Sequence, residues 1–202
     1  MGAYGKLPLA FEANRGQTDS RVRFLSHGRG YSLFLTPNEA VLALQTGRTQ
    51  KPQRKANGSL HAIGSGGFTA PAVLRMQLVG SNATGGLRGV DELPGKSNYF
   101  IGNDPAHWRT SVPNYRKVAE DGVYPGINLV YYGTQRQLEY DFVIAPAADP
   151  RAIQLAFQGA GHLKVDSQGN LIASVRGGEV SFERPIAYQE ALDGAKQQVL
   201  VR

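Results

Sequence analysis

Short runs of alternating apolar and polar residues, each cut off by glycine or proline, constrain this chain more than any other feature it has. Alternation places successive side chains on opposite faces, so each run can bury one face as a strand and none offers the 3.6-residue stripe of a helix. Val22 to His27, the turn Gly28-Arg29-Gly30 and Tyr31 to Thr36 read as a strand, a glycine turn and a returning strand. Beyond Pro37-Asn38-Glu39, Ala40 to Gln45 forms a third strand, with Val41 and Ala43 on one face and Leu42 and Leu44 on the other. In Val73 to Val79, Leu74, Met76 and Leu78 alternate with Arg75 and Gln77, the pattern of a half-buried strand. Breaks follow at Asn82 to Gly86 and Leu93-Pro94-Gly95, then strands at Ser97 to Ile101 and Tyr115 to Val118.

The strongest hairpin joins Ile127 to Tyr132 with Leu138 to Ile144 through a turn at Gly133 to Gln137. Its second arm turns Leu138, Tyr140 and Phe142 one way and Glu139 and Asp141 the other, which predicts one core face. Shorter runs continue at Ile153 to Phe157, Leu163 to Asp166, Leu171 to Val175, Glu179 to Phe182 and Pro185 to Glu190. About a dozen strands at this spacing, with 25 glycines and 11 prolines to turn them, predict an all-β fold. The expected architecture is an antiparallel β-sandwich of stacked sheets, a single domain over residues 1–202. The last run, Gln198 to Arg202, lies inside a strand. The expectation is that C-terminal strands are missing or that this strand forms an exposed edge able to accept a strand from another chain.

The chain has no cysteine, which excludes disulfides, cysteine-ligated zinc and thiol catalysis. No apolar run approaches the ~18 residues of a membrane-spanning helix. The net charge is +6, yet residues 61–202 balance and the excess sits in residues 1–60, where nine Lys or Arg face three acids. Much of it is Arg48, Lys51, Arg54 and Lys55, in a Gly-, Gln-, Ser- and Asn-rich segment without periodicity. This reads as a flexible basic loop at about 46–70, and without stacking aromatics it predicts no nucleic-acid partner.

Runs along nearly the whole chain resemble the N-terminal domain of large bacterial surface proteins that carry SBBP (β-propeller) repeats, a domain without an established activity. They are Leu9 to Gln17, Gly30 to Leu35, Leu93 to Asp104, Trp108-Arg109-Thr110, Val123 to Gly133 and Leu138 to Phe142. The resemblance implies a secreted or cell-surface bacterial protein, its leader absent from this sequence, whose full length continues into repeats. It also implies further strands beyond the Pro185 to Glu190 region. Within its densest polar motif, Phe11 to Gln17, the residues Asn14, Arg15 and Gln17 are expected to satisfy buried backbone groups or anchor the N-terminal segment.

Candidate chemistry is sparse. Glu139 and Asp141, two apart on one strand face, have Cα atoms roughly 6.5–7 Å apart, near the carboxyl spacing of an inverting glycosidase. The competing reading is a solvated face with Arg136 or a cross-strand cation as partner. Nine of the 18 aromatic residues fall between Tyr99 and Phe142. Trp108, with Arg109, Tyr131 and Tyr132, is the candidate platform for stacking on sugar rings, although adjacent Tyr131 and Tyr132 must face opposite ways. His27, His61, His107 and His162 lack metal-ligand spacing, and Asp166 to Asn170 lacks the spaced carboxylates of a calcium loop, so neither metal nor cofactor is expected. No Gly-x-Ser-x-Gly elbow is present. The leading expectation is a non-catalytic module for structural assembly, adhesion or protein–protein contact, self-association included. A carbohydrate-binding module is the first alternative and a glycosidase the second.

Overall fold

The computed structural model describes residues 9–28, 30–44, 72–82, 84–134, 137–190 and 195–199. The basic segment expected at about 46–70 and Arg136 lie outside the described residues. The chain divides into two compact units at Gly159 and Ala160.

In the first unit the strands are β1 (Phe11–Ala13), β2 (Phe24–Gly28), β3 (Tyr31–Thr36), β4 (Glu39–Leu44), β5 (Ala72–Leu78), β6 (Leu87–Tyr99), β7 (Arg109–Tyr124), β8 (Ile127–Thr134), β9 (Gln137–Ile144) and β10 (Leu155–Gln158). They form one ten-stranded antiparallel sheet in the order β10-β5-β4-β3-β2-β1-β7-β8-β9, with β6 paired to β7. The all-β antiparallel class expected from alternation is the observed one.

What gives this sheet an interior is β7, 16 residues long. Around Tyr115 it pairs with β6 on one side and β1 on the other; from Lys117 to Glu120 it pairs with β6 and β8. Strands β1 and β8 therefore take successive stretches of one edge of β7, and the two limbs that start from them curl over a shared core. One limb contributes Phe11, Phe24, Leu33, Leu35, Leu42, Leu74 and Met76, the other Ile127, Leu129 and Tyr131, and β7 itself adds Val118 and Val123. Each such side chain removed from water stabilises the fold by about 1.5–3 kcal/mol. The limbs are tied where they meet: the single Tyr124 hydroxyl proton is shared between the carbonyls of Val79 at 3.1 Å and Gln154 at 3.2 Å.

The expected break at Leu93-Pro94-Gly95 is instead a register shift within β6, between Glu92 and Lys96. A bulge lets a strand carry proline where no ladder donor is required, so the flanking pairings survive. Gly89 in the same strand makes room for an aromatic, since a Cβ there would come within 2.5 Å of the Tyr115 ring. That ring meets Phe24 edge-on at 5.8 Å.

The second unit is built from β11 (His162–Val165), β12 (Leu171–Val175), β13 (Gly178–Phe182), β14 (Ala187–Glu190) and β15 (Lys196–Val199). The first three form one sheet and the last two another. Turn chemistry sets the β11–β12 hairpin: Asp166 accepts from the backbone N–H groups of Gln168 at 2.8 Å and Asn170 at 2.9 Å. The Asp166 carboxyl is held below the usual range chiefly by the bond from the Asn170 backbone N–H.

Candidate functional site

The carboxylate pair lies on the β8–β9 hairpin, whose register sets Tyr132 opposite Glu139 and Val130 opposite Asp141. Glu139, Asp141 and Tyr132 thus share the outer face, all three half-buried. The Tyr132 hydroxyl donates to Asp141 Oδ2 at 3.0 Å. Burial foremost, then the bond to Asp141 and the charges of Asp141 and Glu139, push its pKa above the ordinary tyrosine range. A tyrosine so placed stays protonated and donates, whereas a nucleophilic tyrosine needs the opposite shift. Lys117 of β7 stands opposite Tyr132 on its other side and pairs with Asp91 at 3.6 Å. The part played by Tyr132 went unread in the sequence, although the hairpin register that places it beside the carboxylates was available there.

Tyr131, facing the other way, is 1% exposed in the core with its ring 6.4 Å from that of Tyr140. It offers no face to a ligand. Trp108 follows a single 3-10 turn, Pro105–His107, capped by the Asp104 side chain. Its indole Nε1 donates to the Gly102 carbonyl at 3.2 Å, and its ring meets Phe100 edge-on at 5.1 Å. The exposed aromatic surface here is Phe100 with Trp108, next to exposed Ile101, and the expected tyrosines are elsewhere. Arg109 bonds the carbonyls of Ala106 at 3.3 Å and Trp108 at 3.1 Å. Its Nε lies 3.0 Å from where a Cβ on Gly16 would stand, so the guanidinium packs against a glycine at φ +101°.

The Phe11 to Gln17 motif resolves into a turn built by side chains. Asn14 Nδ2 donates to the carbonyls of Asp19 at 2.8 Å and Val22 at 2.9 Å, and Asn14 Oδ1 accepts from Gly16 N–H at 3.0 Å. Gln17 Nε2 donates to the Ala13 carbonyl at 2.8 Å, and its Oε1 accepts from Arg15 N–H at 2.6 Å. These two amides hold the backbone of residues 13–22, while the Arg15 side chain is exposed. Glu12, one position earlier, accepts from the Tyr99 hydroxyl.

Among the described residues Glu120 is the one buried acidic or basic side chain, 1% exposed. It lies on the inward face of β7 two residues from Val118, opposite Leu129. Its Oε1 accepts from Asn38 N–H at 3.4 Å, and its Oε2 has no hydrogen-bond partner among the described residues. Burial pushes its carboxyl above the usual range against the opposing effect of the Asn38 bond. Its i, i+2 spacing from Val118 was the signal in the sequence.

Among the described residues no three His, Cys, Asp or Glu side chains converge to hold a metal ion, and no helix is long and apolar enough to cross a membrane. His27 Nδ1 lies 3.1 Å from the Ser32 hydroxyl and His107 Nδ1 lies 3.3 Å from Asp104. No curated protein and no solved structure matches the chain. Residues 11–202 match the model of one family, described as a domain of unknown function (DUF7948), and the chain belongs to it.

Proposed function

We propose that this chain is a non-catalytic module for structural assembly, adhesion or protein–protein contact, acting through open strand edges. The observation that carries this reading is in the second unit: β14 and β15 pair only with each other among the described residues. A two-stranded ribbon is marginal in water, and each of its strands keeps one row of backbone groups for a further strand. Apolar side chains in or next to this ribbon are exposed, Ile186 by 64%, Tyr188 by 39% and Val199 by 39%. Strand addition would satisfy the backbone and cover such residues together. The likeness to N-terminal domains of bacterial SBBP-repeat proteins supports an extracellular setting, secreted or at the cell surface.

The alternatives draw less support. A glycosidase using Glu139 and Asp141 would have both carboxylates beside a tyrosine held in its neutral form. A glycan platform at Trp108 would use an indole whose N–H is already bonded to Gly102. Light scattering over a concentration series, with Val199→Pro as control, tests the proposal. Mass that rises with concentration and falls back to monomer in the variant is expected; a monomer at every concentration that also captures no added strand peptide would overturn it.

A further inference from the structure

We propose that the groove over the outer face of β3, β4 and β5 binds a carboxylate-bearing saccharide, with the Arg23 guanidinium anchoring the carboxylate. The groove belongs to the first unit and holds about 540 Å³, within the range of ~300–1,000 Å³ typical of small-ligand sites.

Its floor is one row across three strands, Phe34 opposite Val41 and Val41 opposite Arg75. Each of these strands has a neighbour on both sides, so their backbone groups are committed to the ladder. An extended peptide, which docks on a sheet by backbone pairing, finds no edge here. Recognition must come from side chains, and those present suit a ring with both C–H faces and hydroxyls: Phe34 in the floor, with Thr18 and Thr36 in the lining, the Thr36 hydroxyl donating to the Pro37 carbonyl at 3.3 Å and keeping its lone pairs to accept.

The wall is the segment that Asn14 folds. Arg23 N–H donates to the Leu35 carbonyl at 2.8 Å and Val22 is buried, so this segment is sewn to β3. It brings Asp19, Arg21 and Arg23 to the groove lining. Both carboxylates of the groove already have a cation. Arg21 grips Asp19 through bonds of 3.0 and 2.9 Å, which hold that carboxyl at about 2, and Arg75 bonds Glu39 at 3.0 Å. Arg23 is the lining cation whose side chain has no hydrogen bond or ion pair among the described residues. One excess guanidinium suits one carboxylate, bound as a charge-assisted fork. A polyanion with a charge at every unit would press on Asp19 and Glu39.

Calorimetric titration of the whole chain at low salt with sialyllactose, which carries one carboxylate, and with maltotriose and triglutamate tests this, with Arg23→Gln, Arg23→Lys and Val41→Phe as variants whose folding is checked by thermal melting. Sialyllactose is expected to bind about tenfold or more tighter than either control, to lose a similar factor in Arg23→Gln, and to recover only part of that loss in Arg23→Lys, which keeps the charge without the fork. Val41→Phe, which fills the floor, weakens binding by a mechanism independent of Arg23 and decides the matter if Arg23→Gln does not fold. No binding by sialyllactose, equal binding by maltotriose or triglutamate, or unchanged affinity in Arg23→Gln and Val41→Phe overturns the proposal.

Discussion

Residues 9–159 and residues 160–199 are both built from antiparallel strands with similar turn chemistry, yet only the first set has a core. Every buried apolar residue of the described chain except Ala173 lies in the first unit. β11 is exposed at all four of its positions, whereas β5 buries every second residue from Ala72 to Leu78. The difference teaches that pairing and burial are separate achievements. A hairpin satisfies backbone groups through neighbours close in sequence, but burial needs a second wall, and a second wall needs a strand such as β7 from which two limbs can leave the same edge.

The comparison breaks most readily at the core. Leu129→Ala in β8 is expected to cost about 3 kcal/mol in urea denaturation, as a cavity in a packed interior does, while Val165→Ala in β11 stays within about 0.5 kcal/mol. Amide hydrogen exchange sharpens the same contrast: amides of β3, β4 and β8 should exchange only on global unfolding, and those of β11 and β15 by local opening. Equal protection in both units would remove the distinction.

A smaller effect is expected at the turn that walls the groove. Asn14→Ala leaves the Asp19 and Val22 carbonyls without their side-chain donor and should cost about 2 kcal/mol, read as a lower thermal midpoint. Asn14→Asp, which keeps the acceptor for Gly16 N–H and loses the donor, should recover only part of it.

The smallest effect is the pH dependence of the first unit. Glu120 has a folded-state pKa raised by burial, so the folded chain holds that proton more tightly than the unfolded chain. Its contribution is complete below the ordinary glutamate range and is lost as pH rises through the raised value. Glu120→Gln should therefore stabilise the first unit by about 1 kcal/mol at pH 8 and change little at pH 4. Urea denaturation at the two pH values measures this, and a variant less stable at pH 8 would mean that the ionised carboxylate is satisfied in the fold.

Much of the strand pattern was legible before the structure. The alternation in Leu74 to Leu78 and the opposed faces of Tyr131 and Tyr132 are observed as expected, because they depend on the two-residue period of a strand. β1 was hidden inside a polar motif, since three residues are too few for a period to show. β6 ran longer than its proline and glycine suggested, because its pairing with β7 resumes beyond the bulge. In the candidate sites, the glutamate and aspartate of β9 were visible as a pair, but the tyrosine between them depends on the strand opposite. The groove was not legible at all: it joins residues 18–23 to Glu39 and Arg75 across a long stretch of intervening chain.

The sequence by itself determined the all-β class, the β8–β9 hairpin and the apolar faces of β5 and β9, since these follow from turn chemistry and neighbours within about ten residues. Only the tertiary structure decided that Asn38 meets Glu120, 82 residues away, and that Arg23 and Phe34 line one groove. Such meetings depend on how the limbs curl from β7, and curling is set by the summed packing of two faces, which no local run of residues carries.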